Sequence, residues 1–179
     1  MSAADAAPRF LDQADGTLLD TTTGLVWEIK VSGVNCGHCV EDKHSWSKTG
    51  TEPDGTVFTV FLEKLNGRCD GDEKTPCRTD EPCAGIGNGR CGHAGHRDWR
   101  LPLAFELQAL LLEPYECGVS PCVDPSFPGP VKASAYWAST STSPDTARGV
   151  FFSNGFIGSG AKTGGAYVRA VRTPTGDED

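Results

Sequence analysis

No stretch of this 179-residue chain strings together more than a handful of apolar residues, the greasiest being Ala109 to Leu112. A helix needs roughly 20 such residues to cross a bilayer, so membrane spanning is excluded. Heptad runs, Gly-X-Y tracts and internal repeats are also missing, which removes the self-assembly devices that depend on them. Positive charge is in short supply: 16 Lys and Arg against 24 Asp and Glu leave a net charge of −8. That balance argues against nucleic acid or another polyanion as a partner of the molecule as a whole. The deficit is uneven, with seven basic and six acidic residues from Arg97 to Arg172 and the acidity gathered in the N-terminal part and the tail Asp177-Glu-Asp179.

What is present is 37% hydrophobic residues, 22 Gly, 12 Pro and 8 Cys. A chain of this length is one domain that buries about two-thirds of the surface its unfolded form exposes. Disorder is excluded by composition. The expected organisation is a flexible segment 1–9, a single domain 10–173 and an acidic tail 174–179. The N-terminus, Met1-Ser-Ala-Ala-Asp-Ala-Ala-Pro8, has no apolar signal core. It reads as a mature form whose export signal has been removed, with Met1 added.

The cysteines fall into three groups: Cys36 and Cys39; Cys69, Cys77, Cys83 and Cys91; Cys117 and Cys122. Pairing into disulfides is the leading reading, because the stretch 69–95 has almost no large apolar residues with which to order itself and cross-links would supply the constraint. Two alternatives remain open. Cys36-Gly-His-Cys39 matches a redox dithiol motif, though no buried strand precedes it and a charged segment follows. Zinc could use Cys36, His38, Cys39 and His44, or Cys91, His93 and His96, although neither set has paired CxxC motifs at finger spacing. Haem attachment is excluded because Val40, not His, follows Cys39.

Asp15-Gly16 is a turn signal, followed by Thr17 to Asp20 and a Thr-Thr-Thr-Gly24 turn. Leu25, Trp27, Ile29 and Val31 alternate with Glu28 and Lys30, which predicts a half-buried strand. After Pro53-Asp-Gly-Thr56, the spacing of Val57, Val60, Phe61 and Leu65 predicts a helix stopped by Asn66-Gly67. Residues 69–95 read as a loop-like insertion. Pro102 suits a first helical turn, and Leu103, Leu107, Leu110 and Leu111 form the stripe of a second helix ending before Pro114. Strands are predicted at Ala135 to Thr140, Gly149 to Ser153, Phe156 to Ile157 and Ala166 to Arg172, with a hairpin turn at Asn154-Gly155. The class is α+β: two helices on a twisted, mainly antiparallel sheet, with a cysteine-rich loop insertion.

The segments Asp15 to Trp27, His44-Ser-Trp-Ser47, Asp54-Gly-Thr-Val-Phe58, Gly95 to Pro102, Glu106-Leu107, Tyr136-Trp-Ala-Ser-Thr140, Phe152-Ser-Asn-Gly155 and Tyr167 to Arg172 together resemble the family typified by the C-terminal domain of the Legionella collagen-like adhesin. They cover most of the chain in the family's order. The resemblance implies a C-type-lectin-like fold, also similar to formylglycine-generating enzymes, with the two chain ends paired as strands. It further implies an extracellular bacterial protein used for attachment; sulfated glycans are ligands of the founding adhesin. This sequence departs from that adhesin in being acidic, in lacking a collagen-like stalk and in carrying the four-cysteine insertion.

Trp27, Trp99 and Trp137 suit core packing better than an exposed sugar platform, and Arg100 is expected to tie the helix start to a loop through a buried charge-assisted hydrogen bond. Calcium-dependent sugar binding pairs a Glu-Pro-Asn-type loop with a Trp-Asn-Asp strand. Here Glu52-Pro-Asp54 resembles only the first half and reads as a helix-start turn. Asp70, Asp72 and Glu73 are weak calcium candidates, the one cofactor left open. No nucleophile with a base and no convergent carboxylate pair occurs at a recognisable spacing, and no cysteine follows Cys122, so no enzyme is expected. Recognition is assigned to the connections of the C-terminal meander, with Ser139, Thr140, Thr142, Asp145, Arg148, Asn154, Phe156 and Lys162 as candidate ligand-binding residues. The expected function is a secreted domain that binds a surface glycan or protein. The alternatives are a structural subunit of an extracellular assembly and a thiol-redox protein acting through Cys36 and Cys39.

Overall fold

A computed structural model describes residues 8–34, 38–69, 72–76, 91–112 and 118–174. In chain order its elements are β1 (Phe10–Asp12), β2 (Thr17–Asp20), β3 (Leu25–Glu28), β4 (His44–Ser45), a π-helical turn (Val57–Phe61) running into α1 (Leu62–Gly67), β5 (Arg68–Cys69), β6 (Asp72–Pro76), a 3-10 turn (His93–Gly95), α2 (Ala104–Gln108), β7 (Ala135–Ser141), β8 (Thr146–Phe151), β9 (Ile157–Ala161), β10 (Gly165–Ala166) and β11 (Val171–Arg172).

The first and last strands of the chain share one sheet, ordered β1-β2-β3-β11. Val171 stands opposite Trp27 and Arg172 opposite Val26. Asp15 and Gly16 make the β1–β2 turn: Gly16 takes a φ of +90°, and the Thr17 amide donates to the Asp15 carboxylate at 2.9 Å. At the far end of β2, buried Asp20 accepts two hydrogen bonds from Arg9, at 3.1 and 2.8 Å, and one from the Thr22 amide.

β3 is buried on both faces, not one. Trp27 packs into a cluster with Leu18, Leu107, Tyr136 and Val150, while Val26 packs into a second with Phe61, Trp99, Trp137 and Val168. Glu28 and Lys30 are buried as well, whereas Val31 is 42% exposed. The alternation correctly separates the faces, but a second apolar layer covers the one that carries the charges.

Val57, Phe61 and Leu65 are buried and Val60 faces outward. A π turn is wider than an α turn, which brings every fourth residue into line and rotates Val60 off the stripe. Glycine is required at position 55, where a Cβ would lie 2.2 Å from the Ser45 carbonyl oxygen. Beside it, the Ser45 amide donates to the Thr56 hydroxyl and the Thr56 amide to the Ser45 hydroxyl, which clamps β4 onto the helix start. Asp54 turns away from the helix and gathers the preceding loop, accepting from the Lys48 and Thr49 amides and the Ser47 hydroxyl.

α2 is shorter than its leucine stripe suggests. Leu107 lies in the helix, Leu110 and Leu111 pack from the turn beyond it, and Leu103 is the partly exposed cap residue. The insertion opens as a short hairpin, with β5 paired to β6, where a loop is predicted. The Asn154-Gly155 turn forms as expected, both amides donating to the Phe151 carbonyl. The last predicted strand is split into β10 and β11, because Arg169 between them turns inward and is fully buried.

The fold is thus α+β with mostly antiparallel sheets. Among the described residues no helix is long and apolar enough to cross a membrane. Cys39, Cys91 and Cys122 are each disulfide-bonded. Cys36, Cys77, Cys83, Cys117 and Asp70 lie outside the described residues, as do the side chains of Cys69, Asp72 and Glu73.

Candidate functional site

The meander pairs β7 with β8 and β8 with β9, so that Trp137, Gly149 and Gly158 line up across three strands. Side chains alternate along each strand. One face sends Tyr136, Ala138 and Val150 into the core, and Ile157 packs against it. The opposite face carries Ala135, Trp137, Gly149, Phe151, Gly158 and Gly160, which line a groove of about 210 Å3 to which Gly164, Gly165 and Ala166 also contribute.

Glycine shapes this groove by leaving space that aromatic rings occupy. A Cβ on Gly158 would stand 3.1 Å from the Phe156 ring and 3.2 Å from that of Phe151, and one on Gly160 would stand 3.2 Å from the Trp137 indole. Trp137 is fixed from below, its indole N–H donating to the His44 carbonyl at 2.8 Å. Phe151 and Phe156 form the rim, 38% and 61% exposed, with ring centroids 6.0 Å apart. Solvent-facing aromatic pairs beside a concave apolar floor are the usual make-up of a recognition surface.

Of the residues expected to bind ligand, Phe156 stands on this rim, and Asn154 supports it by accepting the Phe156 amide at 3.1 Å. The others are elsewhere. Arg148 is exposed and opposite Ser159, and alternation places its side chain on the other face from Gly149. The Ser139 amide donates to the Pro102 carbonyl, and this residue borders a wider hollow of about 520 Å3 with Phe58, Leu62, Trp99, Leu101 and Leu103. Thr140 is half-buried nearby in β7. Thr142 and Asp145 belong to a turn that satisfies itself: Thr142 bonds Thr146 at 2.7 Å, and Ser143 donates to Asp145 at 2.6 Å, which holds that carboxyl below the usual range.

Lys162 corrects the expectation outright. It is 3% exposed, its ammonium donates to the Thr51 and Pro144 carbonyls at 2.9 and 2.8 Å, and it lies 4.4 Å from the centre of the Trp46 ring. It is an internal tie rather than a surface group. The groove residues passed over in the sequence, Phe151 and the pair Gly158 and Gly160, did leave a signal. Alternate glycines inside a strand mark a close approach of other groups to the backbone.

Elsewhere the ionisable groups hold the fold together. Arg100 grips Glu106 with two hydrogen bonds of 2.8 Å, and Glu106 reaches back to the Leu103 amide at 2.7 Å. This is the expected tie, although the Arg100 side chain remains partly exposed. Glu28 and Lys30 meet at 2.9 Å with no access to solvent, and the second Glu28 oxygen accepts the Ala170 amide. Arg169 donates to the carbonyls of Glu28 and Pro130. Burial is the strongest single influence on the Glu28 carboxyl and pushes it up, but the Lys30 ammonium, Arg169 and the Ala170 amide together outweigh it and the net shift is downward. Burial drives the Lys30 ammonium down, and Glu28 restores only part. Among the described residues, no three His, Cys, Asp or Glu side chains are grouped to hold a metal ion.

The class these features define is a mostly antiparallel α+β domain whose first and last strands share one sheet and whose C-terminal meander presents an aromatic-rimmed groove. The chain matches the family model of the Lcl C-terminal domain over residues 16–172 and belongs to that family, an adhesin-like one. No match is found among curated proteins.

Proposed function

We propose that this chain is a secreted or surface-located bacterial binding domain, C-type-lectin-like in fold, which attaches to a glycan or protein surface without catalysing a reaction. In this reading the 69–95 excursion is held by disulfides, as Cys91 already is. The observation that supports attachment most is the exposed pair Phe151 and Phe156 over a glycine-shaped groove, on a domain of an adhesin-like family.

A glycan array and a cell-attachment assay, each run with and without calcium, test the reading. Binding that is lost in Phe156→Ala supports it, and a folded chain that attaches to nothing in either format overturns it. A light-scattering mass of one chain separates this function from that of a structural subunit.

A further inference from the structure

The groove has a neighbour that its apolar lining does not explain, the outer edge of β9. The Phe151 amide donates to the Phe156 carbonyl and the Lys162 amide to the Asp145 carbonyl, bracketing the β8–β9 ladder. Antiparallel pairs alternate between bonded and non-bonded, so Phe156, Gly158, Gly160 and Lys162 direct their backbone groups at β8. Ile157, Ser159 and Ala161 direct theirs away from it. The Ala161 carbonyl is taken by the Gly164 amide. The N–H and C=O of Ile157 and Ser159 and the N–H of Ala161 have no protein partner among the described residues. Natural edge strands are normally guarded by a charge, a proline or a bulge; Ile157-Gly-Ser-Gly-Ala161 has no charge and no proline, and its pairing with β8 runs without a register shift.

From this edge together with the groove, we infer that β9 is a strand-addition site for an extended peptide segment carrying bulky apolar side chains at alternate positions. The inference rests on the binding-domain reading and specifies its partner. Free backbone groups recurring every second residue, about 6.8 Å apart, match an extended chain and neither a helix nor a sugar. An added strand would set every second side chain on the groove face, opposite Gly158 and Gly160, where there is no Cβ to oppose it and where Phe151, Phe156 and Trp137 offer contact. A second copy of β9 fits poorly, since it would bring glycine against glycine and leave the groove unfilled. Two chains of net charge −8 also repel, whereas a basic segment is attracted.

The test uses the full chain and a blocked heptapeptide with phenylalanine at every second position, threonine between and lysine at both ends. Saturating peptide is expected to slow amide exchange at Ile157, Ser159 and Ala161 by about tenfold or more while leaving Gly158 and Gly160 unchanged. The same peptide N-methylated on its bonding edge is expected to give no protection, and Ser159→Pro, which removes one outward N–H, is expected to lose the effect. Unchanged exchange overturns the inference. So does equal binding of the N-methylated peptide, which needs no protein variant, and so does protection without peptide that grows with protein concentration, which assigns the edge to a second copy. An attachment assay run alongside separates the two ideas: attachment without peptide protection overturns the strand-addition site alone, and protection without attachment upholds that site while overturning the adhesion reading.

Discussion

Glu28 and Lys30, two residues apart at the end of β3, face the same way and meet at 2.9 Å in a place that water does not reach. Together with Arg169, whose guanidinium donates to the Glu28 carbonyl oxygen, they join the start of the chain to its last turn before β11. Removing one member leaves the other's charge buried and uncompensated. Lys30→Met is therefore expected to cost about 3–5 kcal/mol, with Glu28→Gln in the same range. The double variant should cost less than the two singles added together. Urea unfolding of the four proteins gives the coupling directly.

Asp54 sets an acid limit. Hydrogen bonds from the Lys48 amide, the Ser47 hydroxyl and the Thr49 amide hold its carboxyl at about 2, below the ordinary 3.8. A depressed folded value means that its contribution is complete above about pH 3.8 and is lost as the pH falls through about 2. Asp54→Asn keeps an acceptor and removes the charge, so it is expected to flatten this part of the stability profile and leave the profile between pH 5 and 7 parallel to that of the wild type. Denaturation midpoints across pH 2 to 7 make the comparison.

Two glycines with different surroundings predict different costs. Gly55→Ala drives a methyl to 2.2 Å from the Ser45 oxygen and is expected to destabilise by about 3 kcal/mol or more. Gly24, at a φ of +72° with open space around it, should lose only about 1–2 kcal/mol on substitution by alanine, the cost of the left-handed backbone. Thermal melts of the two variants rank them.

Phe152 and Phe156 are four residues apart and should behave oppositely. Phe152 is buried and stacked on Tyr136 at 4.2 Å, so Phe152→Ala is expected to cost about 3–5 kcal/mol. Phe156→Ala removes a rim residue and should change stability by no more than about 0.5 kcal/mol while weakening attachment. Equal stability losses in the two would remove Phe156 from the rim.

Much of the architecture is legible in the sequence. The Asn154-Gly155 turn, the meander and the burial of Trp27, Trp99 and Trp137 follow from turn chemistry and strand alternation. The pairing of β3 with β11 came from the family resemblance. What was not readable shares one cause: pattern reports which side chains point together, not what lies opposite them. Glu28, Lys30 and Lys162 look like surface residues because charge usually means water, yet each finds carbonyls, a counter-charge or an aromatic face inside. The hydroxyl-rich turn around Thr142 looks like a binding surface, but its groups bind one another. The groove itself is built from residues with no side chain, which a search for chemical groups passes over.

The order β1-β2-β3-β11, antiparallel at every step, has a mechanical consequence. Phe10, Asp20, Leu25 and Arg172 sit at one end of that sheet, so the polypeptide enters and leaves by the same pole, three strand spacings or roughly 15 Å apart. A host chain of any length could therefore carry this unit as a pendant knob with its opposite pole held outward. Tension along such a tether would peel the outermost ribbons apart from that pole instead of stretching the knob from end to end.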